Sequence, residues 1–236
     1  MGGGCKLLVF DWDGTLMDSE AHIVHCMRHA IHDSGLPAKE DAAIRNIIGL
    51  GLSEALHTLF PQGDGSLHEA LTQRYRHHFL SGEHSPSELF AGADATLVAL
   101  SATGYLLAVA TGKGRHGLDH VLEQTGLKKL FHASRCVDEA PSKPHPRMLF
   151  DLMDALDVTP DDTLMIGDTE YDMHMARNAG VPALGVSYGV HGRERLLQCG
   201  ALDCLDAIHE LPAWLVRREA VAATDVLPGY IQGQKP

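Results

Sequence analysis

Short apolar runs alternate along this chain with longer stretches in which apolar residues recur every three to four positions. The runs at 7–10, 105–110 and 163–167 are too short for helices and read as buried strands. Weaker strand-like pieces fall at 132–136, 183–187 and 202–205. Helical periodicity marks 93–103, 116–126, 147–157, 170–179, 193–199 and 206–218. Strands alternating with helices predict an α/β fold with a parallel, doubly wound sheet. Residues 18–87 break the alternation. Four helical patterns follow one another there, near 19–33, 40–48, 52–60 and 67–81, punctuated by Pro37, Gly49, Gly51, Pro61, Gly63 and Gly65. The expected organisation is a core of 1–17 and 88–218, a helical insertion of 18–87 placed as a lid, and a tail of 219–236. The tail, with Pro228, Gly229, Gly233 and Pro236, shows no period and is expected to be extended or disordered.

Polar groups follow the strand-like runs at several places. The first run ends at Asp11-Trp12-Asp13-Gly14-Thr15, the second at Thr111-Gly112-Lys113, the third at Gly167-Asp168-Thr169-Glu170-Tyr171-Asp172. Between the second and third lies Ser142-Lys143-Pro144-His145-Pro146. Functional groups of open α/β sheets sit beyond the carboxyl ends of strands, so adjacent strands would gather all of these at one edge. Asp11 and Asp13 leave an extended backbone on the same side. Two close carboxylates repel unless a counter-charge, usually a divalent cation, lies beside them. The plain alternative is an acidic strand-to-helix turn, since Asp-Gly turns are common.

These motifs carry a resemblance. Asp11-x-Asp13-Gly14-Thr15, Thr111 after a strand, Lys143 in Lys-Pro-x-Pro and Gly167-Asp168-Thr169-x-x-Asp172 stand in the order of the four motifs of the haloacid dehalogenase superfamily. The chain resembles its phosphoglycolate phosphatase-like branch over roughly residues 5–215. One departure is Gly112, where the second motif often carries Asn. The resemblance implies a Rossmann-like parallel-sheet core with an inserted α-helical cap. It also implies a Mg2+-dependent phosphatase for a small phosphorylated metabolite, phosphoglycolate or a sugar phosphate. Asp11 would be the nucleophile and Asp13 the general acid and base. Relatives that cleave carbon–halogen bonds or phosphonates lack an acid at the Asp13 position, so its presence favours phosphate esters. Asp11, Asp168 and the backbone carbonyl of Asp13 would hold magnesium. Asp172 would ligate directly, act through water, or orient the others, the alternative being a helix-start acid favoured by the dipole. Thr111, Gly112 and Lys143 would cradle the phosphate, with Trp12 and Arg45 also on the substrate side. A phosphosugar mutase and a catalytically idle metabolite-binding regulator are the rival readings.

Composition narrows the rest. The 236 residues carry 19 Lys and Arg against 31 Asp and Glu, a formal charge of −12, which argues against nucleic-acid binding. No run of eighteen apolar residues and no signal-peptide stretch is present, so a cytoplasmic protein, monomer or homodimer, without a membrane partner is expected. Cys5, Cys26, Cys136, Cys199 and Cys204 show no metal spacing and read as reduced thiols. Lys113 between Gly112 and Gly114 suggests a nucleotide-binding loop only superficially, because Leu107 stands where that loop needs its first glycine. Arg45 and the Ile48-Gly49-Leu50-Gly51 loop lie in the expected lid. The plain reading there is an exposed arginine and a helix-stop glycine. His22, His25, His29 and His32 fall within an arc of about 80° on one helix. They predict a solvated polar face, with a metal stripe as the sharper option.

Overall fold

The computed structural model describes residues 5–80 and 88–225, with residues 221–225 in backbone only. Four buried apolar residues form β1 (Leu7–Phe10). After a tight turn comes the two-residue β2 (Met17–Asp18), followed by α1 (Glu20–Asp33), α2 (Asp41–Arg45), α3 (Leu52–Leu59) and α4 (Gly65–Leu80). The chain returns through β3 (Glu88–Leu89), which pairs antiparallel with β2. It then alternates: α5 (Ala93–Ala102), β4 (Leu106–Thr111), α6 (Arg115–Thr125), β5 (Ala133–Cys136), α7 (Arg147–Leu156), β6 (Thr163–Gly167), α8 (Glu170–Ala179), β7 (Ala183–Val186), α9 (Arg193–Gln198), β8 (Cys204–Leu205) and α10 (Leu211–Asp225).

Six strands form one parallel sheet in the order β5-β4-β1-β6-β7-β8. The strands read as unbroken apolar runs because helices cover both faces. Leu8 and Phe10 point to one side, packing with Leu97 of α5, Leu118 of α6 and Leu215 of α10. Leu7 and Val9 alternate to the other, against Leu149 of α7 and Met173 and Ala176 of α8. The four helices between β2 and β3 have their own core, built on Ile23, Met27, Ile31, Ile44, Leu56 and Leu71. A parallel sheet with a helical insertion is thus the observed architecture.

Three elements differ from expectation. The helix expected over 40–48 stops at Arg45, since Gly49 takes a φ of +98° that helical backbone excludes. The helix expected over 206–218 begins at Leu211, with Pro212 tolerated in its first turn, and runs to Asp225. Residues 219–225 therefore continue a helix, as the alanines at 220, 222 and 223 favour, where a structureless tail is expected. The rest of that tail, 226–236, lies outside the described residues, as do residues 81–87, the end of the expected lid. No described helix is long and apolar enough to cross a membrane.

Candidate active site

Because β1 lies between β4 and β6, the chain ends of all three strands meet at one edge. Asp11 continues β1, its N–H donating to the Ile166 carbonyl at 2.9 Å. One oxygen each from Asp11, Asp168 and Asp172 lie within 4.8 Å of one another, all buried. Lys143, from the loop between β5 and α7, enters this cluster fully buried. Its Nζ lies 2.8 Å from Asp11 Oδ1 and 2.7 Å from Asp172 Oδ1. One ammonium thus faces three carboxylates.

The remaining oxygens are not equivalent. Asp11 Oδ1 also accepts the Trp12 N–H at 2.7 Å, while Asp11 Oδ2 is buried with no hydrogen-bond partner among the described residues. Asp168 Oδ1 accepts from the Thr15 hydroxyl at 2.8 Å and Oδ2 from the Val190 N–H at 2.9 Å. Asp172 Oδ2 closes a capping box at the start of α8, accepting from the Thr169 hydroxyl and N–H at 2.7 and 3.1 Å. With Oδ1 on Lys143, both oxygens of Asp172 are engaged. Burial raises the Asp11 carboxyl well above its ordinary range, and Asp172 and Asp168 add to this while Lys143 opposes it. Burial and the nearby Asp172 raise Asp168 to about 7, against the pull of Val190 and Thr15. Burial alone would lower Lys143, but the two carboxylates outweigh it and hold it above its ordinary value.

Gly14 makes the turn possible. Its φ of +81° suits glycine, and a Cβ there would overlap the Asp168 carboxylate. Asp13, beyond Trp12, also lines the cleft but turns its carboxylate elsewhere. It accepts from the Ser19 hydroxyl at 2.6 Å, and Lys113 Nζ lies 2.8 Å from both its oxygens. Lys113 also sits 4.8 Å over the Phe79 ring of α4, so it joins the core's acid to the insertion. Thr111 is buried at the end of β4. Its hydroxyl oxygen accepts the Lys113 N–H at 3.1 Å, leaving its proton to give. A Cβ on Gly112 would come 2.5 Å from the Leu50 carbonyl oxygen, so this position is small because loop 49–51 rests on it. The same loop is held by Gly51 N–H donating to Ser142 Oγ at 2.8 Å.

Asp11, Asp13, Thr111, Lys143, Asp168 and Asp172 therefore come together, and Thr111 and Gly112 line the cleft with the two aspartates. Two nominated residues do not join them. Trp12 is fully buried in the core, edge-on to Phe131, because alternation sends it away from Asp11. Arg45 pairs with Glu20 at 2.6 Å and lines a separate surface cavity with Arg28 and His32. The histidine row divides. His29 and His32 are exposed, but His22 is half-buried against Phe79 at 4.8 Å, and His78 of α4 lies 5.4 Å from His29. A solvated face thus describes only part of it. Among residues missed by sequence reasoning, Lys113 and Ser142 have partners about a hundred positions away, which local pattern does not reveal. Thr15 carried the stronger signal, standing inside the first motif.

Comparison with known proteins accords with this edge. Residues 8–186 match the model of the haloacid dehalogenase-like hydrolases. The chain belongs to that family. Among its relatives, the probable phosphatase IndB of Dickeya dadantii is 36% identical over 211 residues, covering 87% of this chain and 91% of that one. A phosphoglycolate phosphatase of Rhodospirillum rubrum is 31% identical over 219 residues, covering 89% and 90%. The solved structure of a predicted phosphatase from Clostridium acetobutylicum superposes with a TM-score of 0.82 at 25% identity, covering 91% of this chain and all of that one. The matched span of the haloacid dehalogenase-like family runs from β1 through β7 and so includes every residue of the cluster.

Proposed function

We propose that this protein is a magnesium-dependent phosphatase that hydrolyses an organic phosphate monoester through an aspartyl-phosphate on Asp11. One observation carries the reading: Asp11 lines the cleft, its Oδ2 has no hydrogen-bond partner among the described residues, and its Oδ1 is fixed by Lys143 and Trp12. That oxygen attacks phosphorus as the bond to the ester oxygen breaks. Asp13, carrying a proton, gives it to the departing alkoxide. It then takes one from the water that attacks the phosphorus and regenerates Asp11. Lys113, 2.8 Å from Asp13, is placed to offset the charge left on that carboxylate once its proton has been given. Lys143 offsets the charge of Asp11 and the incoming phosphate, and the Thr111 hydroxyl is placed to donate to a phosphate oxygen.

The residues present suit magnesium. Three buried carboxylates with one ammonium, and an orphaned oxygen among them, form a hard oxygen-donor set lacking positive charge. Asp11, Asp168 and the backbone carbonyl of Asp13 would hold the ion, with Asp172 orienting Lys143 beside them. When bound, it would supply positive charge to the phosphate oxygens and the nucleophile's carboxylate. The family's phosphatase members support a phosphorylated substrate. The five free thiols support a reducing, cytoplasmic location.

The test is phosphate release from p-nitrophenyl phosphate, with and without chelator, by the native protein and by Asp11→Asn. We expect activity only in native protein with magnesium, and a hydroxylamine-labile phosphoryl group on the Asp11 peptide. Turnover by folded Asp11→Asn, or full activity in excess chelator, would reject the mechanism. Isomerised phosphoester without free phosphate would select the mutase reading instead.

A further inference from the structure

The cleft over Asp11 opens into a cavity of about 620 Å³ between the sheet edge and the helical insertion. That is within the size range of sites that hold drug-sized ligands, roughly 300–1,000 Å³. Its floor is polar, with Asp11, Asp13, Thr111 and Lys113. Its far wall is not. Ile23 and Met27 of α1, Ile48, Leu52 of α3, and Tyr75 and Phe79 of α4 face the floor.

The described cations near a charged leaving group are already paired on the floor, exposed at the edge, or outside the cavity. Lys113 is held between Asp13 and the Phe79 ring. Arg76, His116 and His120 border the cavity but are exposed. Arg45, the cation the sequence nominates, is paired with Glu20 outside it. A carboxylate held against the wall would be desolvated without a partner, and sugar hydroxyls would find few acceptors there.

Resting on the phosphatase reading above, we propose that the substrate is the phosphate monoester of a large apolar alcohol, with an aromatic or branched aliphatic body. Phe79 and Tyr75 flank that body, and the aliphatic wall excludes water from it. Phosphoglycolate and hexose phosphates then leave most of the wall unfilled and are poor substrates.

The experiment compares primary-alcohol esters, whose leaving groups are chemically alike: 3-phenylpropyl phosphate, n-propyl phosphate, phosphoglycolate and glucose 6-phosphate, with p-nitrophenyl phosphate as a reference. Phosphate release is followed with magnesium present. A single methylene in an apolar pocket is worth roughly tenfold or more. We therefore expect kcat/KM for the phenylpropyl ester to exceed that of each of the other three primary-alcohol esters by at least about a hundredfold. In Phe79→Ala the phenylpropyl-to-propyl ratio should fall about tenfold; Leu52→Ser serves for the same ratio should the first variant not fold. Phosphoglycolate or glucose 6-phosphate matching the phenylpropyl ester, or an unchanged ratio in a folded wall variant, overturns the proposal and leaves the phosphatase reading standing. No phosphate from any ester, p-nitrophenyl phosphate included, overturns both.

Discussion

Replacing Lys143 with methionine deletes one charge and keeps most of the side chain's length. The lost ammonium lies 2.8 Å from Asp11 and 2.7 Å from Asp172, with side-chain exposures of 0% for Lys143, 1% for Asp11 and 0% for Asp172. At such depth no solvent screens what is left, and Asp168 stands close by as a third carboxylate. Breaking a buried pair by removing one partner costs about 3–5 kcal/mol, because the orphaned charge remains. For a chain of this size each kcal/mol moves Tm by about 2–4 °C, so the expected fall is roughly 6–20 °C. The loss has a definite pH dependence. Burial already raises Asp11 and holds Asp168 at about 7, and Lys143 opposes both shifts. Without Lys143 the folded-state values rise further above the unfolded value of about 4. Stability from a carboxyl raised in this way is fully present below that unfolded value and lost as pH climbs through the folded one. The variant should therefore lie closer to the native protein near pH 5.5 than near pH 8. Urea unfolding at both pH values, in chelator, measures the gap. A loss below about 1 kcal/mol near pH 8, or one equal at both pH values, would refute the reasoning.

Two further outcomes follow from the cleft. Asp13→Asn should slow phosphoryl transfer from an alkyl ester by about 10²–10⁴-fold and from p-nitrophenyl phosphate less, with a stoichiometric burst in the latter; equal losses in single turnover would assign Asp13 another task. Gly14→Ala should cost about 1–3 kcal/mol in left-handed backbone strain and displace Asp168, read as a lower Tm and lost phosphate release; native values in both would contradict the packing drawn.

Much of the sheet edge is legible without coordinates, for a physical reason. Strands buried on both faces appear as unbroken apolar runs, and the first polar residue after each run falls where strand ends meet. That logic places Asp11, Thr111 and Asp168 together. Period-two alternation, applied one residue further, would also have sent Trp12 into the core, where it lies fully buried. Contacts across the sequence are another matter. Nothing near Lys113 indicates that its partner is Asp13, one hundred positions earlier. An exposed arginine on a short helix carries no direction, so Arg45 could not be told from a substrate contact until Glu20 was seen against it. The shape of the cavity is likewise a sum over α1, α3 and α4, and no single segment states it.

The pairing of β2 with β3 sets Met17 beside Leu89, so the helical insertion leaves and rejoins the core at neighbouring points. An insert attached this way can be exchanged as a cassette. Splicing at these two strands would transplant a foreign set of helices while Asp11, Lys143, Asp168 and Asp172 travel with the recipient. The fastenings to match include Ser19 to Asp13, Gly51 to Ser142, Asn46 to the Tyr171 hydroxyl and the Arg195 guanidinium, and Phe79 beneath Lys113. Chimaeras so built would separate inheritance of the phosphoryl chemistry from inheritance of the choice of alcohol. Evolution could have varied the two independently along the same seam.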